Sequence, residues 1–506
     1  LILSEFVDSI KTTMVMLFWL LVLGLMTYWL LQRGVAQITQ TPIWLLWLVM
    51  MTPAFIWGMW IFVYDQKPIP AALIIIPFIA CPCLYWFLVQ WGRFPSPTSP
   101  PASNTPNPTE APLPQEPLSL PRPLDQQEEE TLRSCFPWTV FPLHHVEYRL
   151  QAVICRGQLR SNPDIAYRTI RDNIQAKFKN RFIIVFQQDL KDQPFFALVP
   201  NPDQAQSENF LKTDSLTRPV LALALLLITL FTTTVAGAEL ENIPLTSWQN
   251  QPRLLLEGLP YSLGLIMVLG CHELAHYLTA IRYKMKVTLP YFLPIPFWLG
   301  TLGAFMQMRS PFPNRKALFD VSIAGPWVGF IISIPLLIFG LNQSAVVPFD
   351  PKTSGFLNFE SVNPSFSFLL TVLSKLTLGD ALTSEQAIHL HPMAIAGYLG
   401  LIVTAINLVP VGQLDGGHLV HAMFGQKTSL TIGQVTRFLI LILSLMRTEF
   451  IPLAVFLFLF SVQDEPALND VSELDNIRDI IGFLTLFLLL LILLPMPSTV
   501  AQWLNY

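Results

Sequence analysis

The sequence predicts an all-α polytopic membrane protein of about ten spans, with a small α+β cytoplasmic domain between the third and fourth spans. Three observations lead there. Apolar residues make up 52% of the 506 and charged residues 13%, against a soluble norm of about a quarter charged. Uncharged apolar runs recur along the chain, and each reads as a spanning helix, because roughly 20 residues rising 1.5 Å apiece match the hydrocarbon thickness. One stretch, 133–205, breaks that pattern with short strand-like runs around a single amphipathic helix.

The N-terminal region, 1–92, carries three of the expected spans, near 13–32, 43–64 and 70–91. No small-residue cleavage site follows the first apolar run, so it reads as a retained span. Residues 93–132 form a linker. Its 93–124 part is crowded with Pro, Ser and Asn, a composition that buries no core, and 125–130 close it with an acidic cluster. In the soluble domain, 133–205, residues 147–156 have strand character. Asn162-Pro163-Asp164 is a helix start, and Ala166, Ile170, Ile174 and Phe178 share one face of the helix that follows. Residues 181–187 and 195–199 are further strands, parted by a polar turn at 189–193. Spans resume in the last region, 219–506, near 219–237, 257–281, 318–340, 392–410, 430–446, 450–462 and 479–495.

Charge places the loops. Arg282, Lys284, Lys286, Arg309, Arg315 and Lys316 fall between 282 and 316 with no acid among them, which marks a cytoplasmic loop. The loop at 238–252 carries Glu239 and Glu241, and 341–390 is mildly acidic, so both face the other side. Arg93 and Arg218 then put 93–218 in the cytoplasm. A net charge of -4 gives no footprint for nucleic acid. The cysteines (Cys81, Cys83, Cys135, Cys155 and Cys271) are odd in number and form no C-x-x-C pair, which argues against a disulfide framework.

The chemistry starts at Cys271-His-Glu-Leu-Ala-His276, inside the apolar run 261–281. In a helix, positions i and i+4 share a face, so His272 and His276 present two imidazoles to one metal, and Glu273 can act as general base on a water there. The alternative is a polar patch at a helix–helix contact. Ionisable groups are costly in a membrane helix and by default functional, which favours the metal. A catalytic zinc site needs a third protein ligand and an open position. Asp415 is the candidate, in Asn407-Leu-Val-Pro-Val-Gly-Gln-Leu-Asp-Gly-Gly417, where Pro410, Gly412, Gly416 and Gly417 interrupt a span. An ordinary Asp-Gly turn is its plainer reading; beside a helix bearing two ligands and a base, the ligand role is preferred. Gly416 and Gly417 are expected to turn the backbone sharply and aim the carboxylate inward.

Taken together, His272-Glu-Leu-Ala-His276 and the distant Asn407…Pro410…Leu414-Asp415-Gly416 resemble the site-2 protease family of intramembrane metalloproteases, over roughly 219–495. The resemblance implies one Zn2+ per chain held by His272, His276 and Asp415, with Glu273 as catalytic base. It also implies that Asn407 is catalytic, close to the metal and polarising the scissile carbonyl. The implied reaction is hydrolysis of a peptide bond within or near the transmembrane segment of a membrane-protein substrate, in the lipid bilayer, as in regulated intramembrane proteolysis. Pro290, Pro294 and Pro296, leading into 297–305, look like the family's membrane-inserted hairpin. Gly300 and Gly303 there either leave backbone free for an unwound substrate to pair as a strand or merely line a turn. Ala324-Gly325-Pro326 and Gly329 match a further family stretch and read as small residues for helix packing. Arg156-Gly-Gln-Leu-Arg160 is similar to the G-x-L-R stretch of the cyanobacterial and plastid branch, the ethylene-dependent gravitropism-deficient and yellow-green type, with Gln158 where that branch has Asn. This branch implies a multi-pass protein of a bacterial plasma membrane or a thylakoid membrane.

Other histidines read as structural: His144 and His145 in the soluble domain, His389 and His391 where the chain re-enters the membrane, and His418 and His421 beyond Asp415. A hydrogen bond from His418 to a ligand is the exception that remains open. Two rival functions use the same residues. A metal-binding transporter predicts broken helices in two corresponding halves, and the sequence carries no such repeat. An inactive protease-like scaffold has no need of Glu273.

Overall fold

The computed structural model describes residues 41–64, 124–149, 152–189, 192–201, 218–241, 251–295, 298–350, 357–446, 448–459 and 461–503, with isolated positions elsewhere. The expected spans at 13–32 and 70–91 and the Pro-rich stretch to 123 lie outside these residues, save for those isolated positions. The chain divides into two compact units at Gln115. In the first, helix α1 (Ile43–Tyr64) is apolar on every side and carries Pro53 within it, as a bilayer tolerates.

The second unit opens with helix α2 (Gln126–Ser134), where the acidic cluster supplies a capping box: Asp125 N donates to the Glu128 carboxylate and the Asp125 side chain takes the reciprocal bond. Leu124 and Leu132 are buried in the core of the following α+β domain, so the cluster expected to end a linker is the domain's first helix. Strands β1 (Leu143–Arg149) and β2 (Ala152–Gly157) form a hairpin across the region expected as one strand. Helix α3 (Pro163–Phe178) starts where its sequence says, with Asp164 N donating to Asn162 Oδ1 at 2.9 Å, a cap worth about 1 kcal/mol. Its buried stripe is Ala166, Tyr167, Ile170 and Ile174. Strands β3 (Phe182–Gln188) and β4 (Pro194–Pro200) complete an antiparallel sheet in the order β1-β2-β4-β3, so β3 is an edge. Gly157 of the G-x-L-R stretch lets β2 pass Pro142; a Cβ there would stand 2.3 Å from the Pro142 carbonyl oxygen. Cys135 and Cys155 are free thiols inside this core.

The membrane part follows. Its elements are α4 (Pro219–Leu240), α5 (Leu259–Arg282), the two-stranded β5 (Tyr291–Pro294) and β6 (Thr301–Phe305), and α6 (Arg315–Leu341). Next come β7 (Ala345–Pro348), α7 (Phe368–Leu378), β8 (Gln386–His389), α8 (Pro392–Leu408) and α9 (Asp415–Phe424). The chain closes with α10 (Gln426–Met446), α11 (Ile451–Leu459) and α12 (Asn476–Leu493). Among the described residues six helices are long and apolar enough to cross a membrane: α1, α4, α5 with its leading 3-10 turn, α6, α10 and α12. Helix α8 is apolar but shorter. Among the described residues the run expected as a span at 450–462 gives the nine residues of α11, about 14 Å at 1.5 Å each, too short alone for a hydrocarbon core of about 30 Å. Helices α5, α6 and α8 pack mutually around Leu265, Leu269, Leu337, Ile395 and Leu399, with close approach at Gly397, where a Cβ would meet the Leu337 backbone at 2.6 Å. Three packed helices thus hold the level at which the motif residues sit.

Candidate metal centre

His272 and His276 lie on α5, one turn apart and both buried. Their Nε2 atoms are 3.2 Å apart. Asp415, the first residue of α9, brings Oδ2 to 3.6 Å from His272 Nε2 and 3.3 Å from His276 Nε2. A tetrahedral zinc with bonds of about 2.0–2.1 Å spaces its ligand atoms by roughly 3.3–3.4 Å, so the donor set fits that ion in type and in spacing. Among the described residues this is the one group of three such side chains whose ligand atoms lie within 4.8 Å of one another.

What orients these donors comes from α6. His276 Nδ1 sits 2.8 Å from the Val321 carbonyl; donating there fixes the tautomer and leaves Nε2 for a metal. Gly325 faces the same ring, and a Cβ at that position would stand 2.1 Å from His276 Nε2. At Gly329 it would stand 3.1 Å from His272 Nδ1. The small residues expected to serve helix packing therefore make the room in which both imidazoles sit, a role their spacing alone did not reveal.

The Asp415 segment is built differently from its expected form. Gly416 and Gly417 are helical residues of α9, and their value is close backbone approach: a Cβ on Gly416 would fall 1.9 Å from the Leu408 carbonyl oxygen. The sharp turn is made at Gly412, whose φ is +57°, in the left-handed region that side chains disfavour. Arg315, buried at the start of α6, donates to the carbonyls of Ala422 and Met423 at 2.7 Å each, a cation on the negative end of α9. Asn407, near the end of α8, places Nδ2 3.3 Å from His272 Nε2, beside the donor set.

Glu273 shares a cavity of about 560 Å3 with His272, His276, Asn407, Asp415 and His418. The end of β6 enters it through Ala304, Phe305 and Met306. Hairpin β5–β6 forms where the prolines suggested; Pro296 and Phe297 lie outside the described residues. Gly300 and Gly303 both have positive φ. A Cβ on Gly300 would press on the Thr233 backbone at 2.5 Å, whereas Gly303 faces open space.

The remaining histidines separate clearly. His391 caps α8, accepting from Met393 N at 3.2 Å; His389 is in β8, and His144 and His145 are in β1. His418 Nδ1 lies 2.9 Å from Asp464 Oδ1, without the alignment of a hydrogen bond. His421 is fully buried between Asp464, 2.6 Å from Nδ1, and Asp470, 3.0 Å from Nε2. Sequence reading missed both aspartates, because they lie more than 40 positions beyond the histidines in a loop with no motif spacing.

The sequence model of peptidase family M50 matches residues 260–446. "Probable zinc metalloprotease EGY1, chloroplastic" of Arabidopsis thaliana is 34% identical over 247 residues, 48% of this chain and 44% of that protein. "Probable zinc metalloprotease EGY2, chloroplastic" of Oryza sativa subsp. indica is 30% identical over 350 residues, 68% of this chain and 62% of that protein. The chain thus spans less than two thirds of the length of these relatives. No solved structure matches. The relatives' names correct one expectation: they are chloroplastic proteins of plants, which does not support a bacterial plasma membrane. Across 260–446, the stretch that holds His272, Glu273, His276 and Asp415, the chain carries a peptidase family M50 domain, that of the site-2 proteases.

Proposed function

We propose that this chain is a zinc-dependent intramembrane endopeptidase, cleaving a peptide bond within or near the transmembrane segment of a membrane-protein substrate. On this reading 219–506 is the protease region, 124–205 its soluble domain and 1–92 an N-terminal membrane region reached through the Pro-rich linker that ends at 123, with about nine spans in all and a plastid membrane as the setting. The observation that carries it is the meeting of His272, His276 and Asp415 at zinc spacing from two separate helices, with Glu273 in the same cavity.

Bound there, zinc supplies Lewis acidity, bringing a water's pKa to about 7 and stabilising charge on a carbonyl oxygen. The chain's own residues do the rest. His272, His276 and Asp415 hold the ion, and Val321 orients His276 through Nδ1. Glu273 takes a proton from the attacking water as its oxygen bonds the carbonyl carbon, then returns it to the leaving amide nitrogen. Asn407 donates from Nδ2 to the carbonyl oxygen as charge gathers on it. The substrate helix must first unwind, because helical backbone shields its carbonyls; strand β6, whose end enters the cavity, is the backbone beside which it would pair. The test is co-purification of membrane proteins with Glu273→Gln and their cleavage by the unmutated protein in detergent or liposomes. Captured proteins left uncut under zinc-replete conditions would contradict the reading.

A further inference from the structure

The segment 464–472, between α11 and α12, touches three parts of the molecule. It lies along the exposed edge of the soluble sheet: Phe186 N donates to the Leu468 carbonyl at 2.7 Å and Asp470 N to the Phe186 carbonyl at 2.9 Å, a parallel addition to β3. Val471 is buried in that domain's core. On its other side, Leu468 N donates to Phe312 O at 2.8 Å, and Ala467 packs with Ala280, Phe319 and Leu419 of the membrane part. Asp464 and Asp470 then reach His421 of α9, while Asp464, Glu465 and Pro466 line the cavity that holds Glu273.

Helix α9 cannot hold itself. It has ten residues and no side-chain cap at Leu414, well below the length at which an isolated helix is stable. Asp415 and His421, six residues apart, project from well-separated faces at 100° per residue. One face serves the metal and another the strap, while Arg315 of α6 holds the C-terminal carbonyls. We propose that the soluble domain positions the metal site: docked on the 464–472 strap, it holds the His421 clamp and with it the helix that carries Asp415. This rests on the reading of Asp415 as a ligand given above. His421, Asp464 and Asp470 act on the metal through α9 and are positioning residues. Partners of this kind behind metal ligands typically set affinity by 10–100-fold.

The test measures zinc affinity of the full-length protein against a competing chelator, with hydrogen exchange as a second readout. Asp464→Asn, and Val471→Asp to undock the domain, should each weaken zinc by roughly 10–100-fold and speed exchange across 415–424, leaving α5 as protected as before. A Val471→Asp protein with fast exchange at 182–188 but unchanged zinc affinity would overturn the proposal. The unmutated protein gives a check independent of folding variants. Coupling is reciprocal, so zinc loading should slow exchange at 464–472 and 182–188 as well as at 415–424, and no change at 464–472 would equally overturn it. An Asp415→Ala control separates the two failures: if it keeps full zinc affinity, the ligand assignment falls first and takes this proposal with it.

Discussion

Asp415 Oδ2 lies 3.3 Å from His276 Nε2, although between their helices come the β5–β6 hairpin, α6, the strand pair β7 and β8 with α7 between them, and α8. With the third donor atom 3.6 Å away on His272, removing any one leaves two protein ligands for a metal that needs three and an open position. Asp415→Ala should therefore lower zinc affinity by at least a hundredfold, and Asp415→Glu by less, because a longer arm misplaces the oxygen. Chelator competition on purified protein measures both.

Gly325 sets the position of His276. A methyl group there would collide with Nε2 at 2.1 Å, and the α6 backbone cannot retreat without losing its contacts to α5 and α8. Gly325→Ala should abolish zinc loading while the protein stays folded. Gly329→Ala, facing His272 Nδ1 at 3.1 Å, should weaken it only several-fold. Elemental analysis beside circular dichroism separates lost metal from lost fold.

The His421 clamp predicts a pH dependence. Burial acts to lower the imidazole's pKa, but the hydrogen bonds and charges of Asp464 and Asp470 outweigh it and raise it to about 9 from 6.5. Asp464 is lowered to about 2, against the burial that raises it, by its two neighbours His418 and His421. A raised folded pKa contributes stability that is complete below 6.5 and lost as pH climbs through about 9. Exchange at 415–424 should thus quicken between about pH 8 and 10, beyond the intrinsic rate. A His421→Asn protein should lack that step.

Asn469 pairs with both Phe186 of the soluble domain and Asn314 at the end of the basic loop, a contact that predicts that domain and the 282–316 loop to share one membrane face. Single cysteines substituted for exposed Trp138 and for Lys286 should be labelled from the same side by an impermeant reagent. Cys135, with 2% exposure, should stay unlabelled in the folded protein. Labelling of the two introduced positions from opposite sides would break the arrangement.

Much of the site was legible because its chemistry is local. H-E-x-x-H needs only helical periodicity to bring two imidazoles together, and the interrupted span around Asp415 advertised itself through Pro and Gly. Asn162 announced α3 by the same kind of short-range capping. The long-range parts were silent. Gly325 has no pattern that distinguishes a helix-packing glycine from one that makes room for a ligand ring; only the register of α5 against α6 decides it. Asp464 and Asp470 sit in an irregular strap whose course depends on the soluble domain's edge strand. The apolar run at 450–462 misled because hydropathy records composition, whereas crossing a bilayer requires continuous helix.

Metal content of matched variants tests the central claim most directly. If His272 and His276 hold zinc and Glu273 handles the proton, Glu273→Gln should purify with one zinc per chain and cleave nothing. His272→Ala and His276→Ala should lose both metal and activity. Stoichiometric zinc in a folded His276→Ala protein would contradict the account.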